Sequence, residues 1–248
     1  MPSVQGTISI VSHGHGPLVS KLLQDLARQT YIEHWLVIVT LNISEPFELV
    51  PRLRMKVISN DSPKGFGANH NAASIEAEGE LYAIVNPDIR ITDDRFLEKL
   101  AALDWTTGSP LRAPVVVAPN GAEEDSVRRN LSVPNLLARR NRRLAGWEAD
   151  PDASDFFWLA GMFLIAPIAR FRDLGGFDDR YRLYCEDYDL CARWRLAGNR
   201  VELIRDLEVI HDARRDSHKS MRHLRWHLAS LFRVWRSKPF WRIVAGQY

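Results

Sequence analysis

Cysteine is almost missing from this 248-residue chain, which has only Cys185 and Cys191. Six positions apart, they form neither a C-x-x-C redox pair nor a zinc-ligand spacing, and they provide no disulfide framework. No apolar run approaches the roughly 20 residues a membrane-spanning helix needs, and no apolar signal stretch opens the sequence. A reducing, cytoplasmic compartment is the expectation. Glycine-rich phosphate fingerprints are missing as well. "GFGANH" (65–70) has His70 where the third glycine of G-x-G-x-x-G would fall, and it follows the third strand-like segment instead of the first. No G-x-x-x-x-G-K-[ST] occurs, so any nucleotide is held in another way.

The composition that remains is that of one large globular domain, with 46% apolar and 26% charged residues. The net charge of +2 hides an asymmetry. From His211 to Tyr248 there are nine Lys or Arg against two Asp, a formal +7, so the first 210 residues carry −5. Trp226, Trp235 and Trp241 fall in that basic segment. The surplus points to a partner of the tail and not of the whole protein.

Periodicity gives the fold class. "TISIVS" (7–12), "WLVIVTL" (35–41), "MKVISN" (55–60) and "LYAIVN" (81–86) read as strands. Between them, "PLVSKLLQDLARQ" (17–29) repeats Val19, Leu22, Leu23 and Leu26 at helical spacing, and 65–79 reads as a helix opened by glycines. Strands alternating with helices predict an α/β protein with a mostly parallel sheet. Further on, 94–105 reads as a helix, 113–119 as a strand and 158–167 as one long apolar strand. Residues 167–177 read as a short helix closed by glycine, and 200–205 and 207–211 as two strand-like pieces. Residues 127–146, with six arginines, read as a mobile basic loop or short helices.

Open parallel sheets bind ligands beyond the carboxyl ends of their strands. "SHGHG" (12–16) follows the first strand and is small enough to let a flat base approach backbone. "NPDIRI" (86–91) follows the fourth. Its Asp88 offers a hard oxygen ligand for Mg2+ or Mn2+, although Asn-Pro-Asp is also an excellent turn. "LYCEDYDLCARW" (183–194) crowds Glu186, Asp187 and Asp189 into four positions at a helix start. Acids in a first turn complement the helix dipole; they can also include a carboxylate placed to take a proton.

"VNPD", then "WLAGMFLIAPIARFRDLGGFDDRYRLYCEDYDLCARWRLAGNRVELI", then "VIH" resembles the family 2 inverting glycosyltransferases. Within that family it looks like the bacterial rhamnosyltransferase-like enzymes, and "NDSPKGFGANHNAA" resembles that branch's glycine-phenylalanine loop. The resemblance covers nearly the whole chain and implies a GT-A fold in residues 1–219. Residues 1–90 would be the nucleotide-sugar half, 91–219 the acceptor half, and 220–248 a basic helical tail. It implies Asp187 as general base and Glu186 as its acceptor-orienting neighbour. Donor contacts would come from Ser12, His13, Asn42, Asn60, Gly65, Phe66, Asn71, Asn86 and Asp88. A divalent cation, Mg2+ or Mn2+, would rest on Asp88 and His211, with Gly161 and Asp189 on the acceptor side and Arg214 and Lys219 near the phosphates. Asn42 replaces the base-pairing Asp of many relatives; as both donor and acceptor it still suits uracil or thymine.

The expected reaction is transfer of a sugar such as L-rhamnose from a dTDP- or UDP-linked donor. The acceptor would be a glycan or lipid-linked, at the cytoplasmic face of the inner membrane. Met221, Leu224, Leu228, Leu231, Phe232 and Trp235 fall on one face of a helix from about 220 to 236. That helix either docks on the domain or lies on anionic lipid. Nucleic acid is not expected, since no recognised module surrounds the basic stretch. Two rivals remain: a catalytically silent scaffold of a membrane complex, and a sugar-nucleotide nucleotidyltransferase, for which "SHGHGPL" lacks the glycine-rich basic triphosphate loop.

Overall fold

A computed structural model describes residues 3–141, 155–212 and 221–248. Ten strands and eight α-helices are found among them. Residues β1 (Gly6–Ser12), β2 (Trp35–Leu41), β3 (Arg54–Ser59) and β4 (Leu81–Val85) form the first half of the main sheet. They lie in the order β3-β2-β1-β4 and all pair in parallel. β1, β2 and β4 are nearly continuous apolar runs because helices cover both faces. The edge strand β3 alternates exposed and half-buried residues and carries Lys56, which discourages pairing with another chain.

Helix α1 (Gly16–Arg28) starts with Pro17 in its first turn and buries Val19, Leu22, Leu23 and Leu26, the stripe read from the sequence. Helix α2 (Phe66–Ile75) comes so close to the segment before the acidic helix that only glycine fits at two positions. A Cβ at Gly65 would lie 2.8 Å from the Arg182 carbonyl, and one at Gly67 2.5 Å from the Phe177 Cβ.

The second half of the sheet is mixed. β5 (Ile89–Arg90), α3 (Phe96–Ala101) and β6 (Leu111–Val117) follow β4. Then come β7 (Val127–Arg129), α4 (Val133–Arg140), β8 (Phe157–Leu159), β9 (Phe163–Pro167) and α5 (Ile168–Asp173). The acidic stretch opens α6 (Glu186–Leu196), which leads to β10 (Val201–His211), α7 (Met221–Trp235) and α8 (Lys238–Val244). The eight-stranded sheet runs β3-β2-β1-β4-β9-β6-β10-β5. β9 is antiparallel to β4 and β6, β6 and β10 are parallel, and β5 is antiparallel to β10.

Several elements differ from the sequence reading. The apolar run 158–167 is two strands, because the chain turns at Ala160–Met162: β8 leaves to pair with β7, while β9 enters the main sheet. The stretch 200–211 is one strand whose register slips between Ile204 and Glu208, so a bulge and not a break separates the halves. The expected helix over 94–105 shortens to six residues. Residues 127–129, expected in a loop, are strand, and the tail holds a second helix, α8. Phe240 and Ile243 of α8 are buried against the domain.

Candidate functional site

In the order β3-β2-β1-β4 the chain winds outward from β1 and then returns to its other side at β4, so the crevice falls between the carboxyl ends of β1 and β4. A cleft of about 730 Å3 lies there, ample for a nucleotide-sized ligand. Its wall includes His13, Gly14 and His15 after β1, and Asn86, Pro87 and Asp88 after β4. Asn42, Lys64, Phe66 and Arg182 complete the inner wall. From the far side, Tyr184, His223 and Trp226 face in.

The donor-side residues divide into those at the cleft and those that shape it. His13, Asn42, Phe66, Asn86 and Asp88 line it. Ser12 is buried and accepts from the His15 N–H at 3.2 Å, setting the loop after β1. The Asn42 Nδ2 donates to the Lys64 carbonyl at 3.0 Å and lies 3.2 Å from the His13 Nδ1. Its Oδ1 accepts from Lys64 N at 2.8 Å and Asn60 Nδ2 at 2.9 Å. Asn42 thus ties down the 60–64 loop with its amide. Asn60 also donates to Asn69 Oδ1 at 2.6 Å. Gly65 caps α2, and Phe66 N donates to the Arg182 carbonyl at 3.1 Å. Asn71 lies outside the cleft wall, clamping α2 to the glycine turn: its Nδ2 donates to Phe177 O and Asp179 Oδ1, and its Oδ1 accepts from Phe177 N.

Asp88 and His211 meet because β5 pairs antiparallel to the end of β10, with Ile89 opposite His211. The His211 Nε2 lies 3.2 Å from Asp88 Oδ2, and its Nδ1 2.7 Å from Glu124 Oε2. Burial alone would lower the imidazole pKa, but hydrogen bonds and charges from both carboxylates outweigh it and raise it to about 9. The other oxygen of Asp88, Oδ1, is buried with no partner in the chain. Once a cation displaces the Nε2 proton, an imidazole whose second nitrogen is held by a carboxylate, beside a free hard oxygen, fits a divalent ion. Among the described residues no three His, Cys, Asp or Glu side chains enclose such an ion, so water and ligand phosphates would complete its shell. Glu124 carries no motif; it reaches the site through the turn after β6, where its N–H donates to Val116 O.

The acidic helix is introduced under strain. Tyr184 and Cys185 both have positive φ, 74° and 64°, in the left-handed region that side chains disfavour. Tyr184 is fixed there by its hydroxyl, 3.0 Å from His223 Nδ1. The strained pair aims the first turn of α6 inward. Asp187 Oδ2 accepts from Gly161 N at 2.9 Å, and its Oδ1 from Tyr188 N at 2.9 Å. Burial raises the Asp187 pKa, while the Arg128 guanidinium and those backbone N–H groups hold it down. Glu186 has no such help: burial first, then the charge of Asp187, pushes it well above the carboxylate range, and its Oε2 is buried without a partner. One carboxylate is favoured as the anion and its neighbour as the acid.

One turn joins the base candidate to the cation candidate. Asn86 N donates to Met162 O at 2.9 Å, and Gly161, the residue before, holds Asp187. A Cβ at Gly161 would sit 3.5 Å from Asp187 Cβ and 3.6 Å from the ring of the cleft residue Phe66. Asp189 faces elsewhere. It is paired with Arg193 at 2.6 Å, and Arg193 in turn donates to the Leu174 and Gly176 carbonyls. Arg214 and Lys219 lie outside the described residues. Sequence reasoning missed Lys64 and Arg182 on the cleft wall and Arg128 beside Asp187. Nothing in the sequence singles out Arg128 among its neighbouring arginines.

No protein-family model matches the chain. The rhamnosyltransferase WbbL of Escherichia coli K12 is 28% identical over 247 residues, covering 91% of this chain and 90% of that one. An N-acetylglucosaminyl-diphospho-decaprenol L-rhamnosyltransferase of Mycobacterium tuberculosis is 28% identical over 184 residues, 64% of this chain and 56% of that one. Among solved structures, the Pyrobaculum calidifontis mannosyltransferase PcManGT, determined with GDP-Man and Mn2+, superposes with a TM-score of 0.67 at 18% identity. The match covers all of this chain and 71% of the other. The fold is GT-A, the architecture of nucleotide-sugar-dependent glycosyltransferases. In sequence and fold the chain is similar to family 2 glycosyltransferases of the rhamnosyltransferase-like branch.

Proposed function

We propose that this glycosyltransferase moves a sugar, L-rhamnose in the reading its relatives favour, from a nucleoside diphosphate to a lipid-linked or oligosaccharide acceptor, with inversion, in bacterial surface-polysaccharide synthesis. The nucleotide enters between the loops after β1 and β4, its base against His13 and the loop Asn42 ties down. Lys64 and Arg182 on the cleft wall meet the diphosphate. Asp88 and His211 would hold Mg2+ or Mn2+, which neutralises charge on the departing diphosphate. Asp187, anionic at the head of α6, accepts the proton of the attacking acceptor hydroxyl as that oxygen closes on the anomeric carbon. Glu186, neutral beside it, spares the site a second charge and orients the acceptor. The setting would be the cytoplasmic face of the inner membrane; no described helix is long and apolar enough to cross it.

The observation that carries this reading is the single turn at Gly161–Met162, which fastens Asp187 on one side and the loop bearing Asp88 on the other. The test is transfer from dTDP- and UDP-linked sugars, with and without Mn2+, to a diphospholipid-linked N-acetylglucosamine, reading the anomeric configuration of the product by NMR. An inverted linkage is expected; a retained configuration would overturn the mechanism. Thermal-shift measurements with UDP, dTDP and GDP identify the base.

A further inference from the structure

Helix α7 has two working faces, and among the described residues only one of them is covered. His223 and Trp226 line the cleft, and Ser230 Oγ donates to the Leu183 carbonyl at 3.0 Å. With Leu231 and Val234, both buried, these form the face packed on the domain. Leu224, Leu228 and Phe232 are 49%, 45% and 59% exposed. At about 100° per residue, that triplet points roughly 170° away from His223, Trp226 and Ser230. Of the apolar positions expected to form one face, Leu231 and Trp235 turn to the domain while Leu224, Leu228 and Phe232 turn outward. Four-residue spacing makes 224, 228 and 232 a continuous apolar ridge.

The surroundings of that ridge specify what covers it. Neither 133–140 nor 221–248 contains an acidic residue. Arg140, Arg225, Arg236, Lys238 and Arg242 are exposed on α4, α7 and α8. Helix α4 begins beside the end of α7, where Trp235 Nε1 donates to Leu131 O at 2.8 Å. α4 adds Val133 and Leu137, both exposed, and Trp241, bonded through Nε1 to the Trp235 carbonyl, adds an exposed indole where α7 ends. An apolar ridge framed by cations, on helices that carry no acidic residue, matches a surface with a hydrocarbon interior and anionic headgroups.

We propose that the outer face of α7, with α4 beside it, seats on an anionic phospholipid surface, so that the cleft wall carried on the inner face of the same helix stands at the membrane. This rests on the lipid-linked acceptor proposed above for its purpose, though not for its geometry. Vesicle flotation tests it. The full-length protein should float with phosphatidylglycerol-containing vesicles, less with pure phosphatidylcholine, and should be released by about 0.5 M salt as the charges are screened. Leu228→Ser with Phe232→Ser should weaken flotation at least tenfold, and Arg225→Gln with Arg236→Gln should remove the preference for anionic lipid. Both pairs should keep the wild-type melting temperature and nucleoside diphosphate binding. Wild-type protein that stays unbound, or variant protein that floats undiminished, overturns the proposal. So does a wild-type dimer that the serine pair dissolves, since a second copy would then cover the ridge. Nucleotide binding is measured without vesicles, so failure of the transferase reading is visible separately.

Discussion

Asp187→Asn separates the catalytic role of this carboxylate from a structural one. The side chain accepts two backbone N–H groups, from Gly161 and Tyr188. The amide oxygen of Asn keeps one and loses the other, a deficit of about 1–2 kcal/mol. Against it, the substitution removes a buried charge that sits beside Glu186 and pushes its pKa up. The two effects oppose each other, so the folding free energy should move by less than about 1 kcal/mol. Asp187 is absent from the cleft wall, so affinity for the nucleoside diphosphate with Mn2+ should be unchanged. Catalysis should suffer alone. Removing a general base costs roughly 100- to 10,000-fold in kcat, or about 2.7–5.4 kcal/mol of barrier. Because burial raises the Asp187 pKa, the acid limb of the wild-type rate profile should lie above the ordinary carboxylate range. Steady-state release of nucleoside diphosphate gives the rates, calorimetry the donor affinity, and thermal unfolding the stability. A kcat within threefold of wild type would remove Asp187 from the base role. A fall in kcat matched by equal losses of donor affinity and melting temperature would make it structural.

Further tests address the rest of the site and the packing that holds it. Asp88→Ala should abolish the Mn2+-dependent part of nucleoside diphosphate binding and leave the melting temperature nearly unchanged, checked by calorimetry with and without the metal. Gly67→Ala would place a Cβ 2.5 Å from Phe177 and should destabilise by about 1–3 kcal/mol, seen as a lowered denaturation midpoint. His70 is fully buried, with Nδ1 on Ser9 Oγ, and burial depresses its pKa to about 3. The unfolded chain then binds a proton below about 6.5 that the folded chain refuses, so stability is full above that pH and is lost as pH falls toward 3. At pH 5 the loss from this residue is about 2 kcal/mol, and His70→Gln should flatten that part of the pH–stability curve.

The sequence by itself determined the α/β alternation. Buried strands need uninterrupted apolar runs, and a helix lying on them needs a stripe at 3.6-residue spacing; both are local properties of residues 6–41. The resemblance carried by "VNPD" and the acidic run pointed to the family, and the first-turn acids placed a carboxylate cluster at a helix start. The resemblance singled out Asp187 among those carboxylates, but how their surroundings differ was visible only in the fold. Asp189 turns to Arg193, Glu186 has no donor, and Asp187 gains the Gly161 N–H from a strand break that the apolar run 158–167 conceals. His211 joins Asp88 through an antiparallel register, and Glu124 and Arg128 arrive from loops with no periodic signal. The tail shows the same limit, since the hydrophobic pattern of α7 marks apolar residues but not which of them the domain covers. Periodicity reports what each side chain prefers. Partner choice between distant segments is set by register and by competition for one surface, and neither is written in a local window.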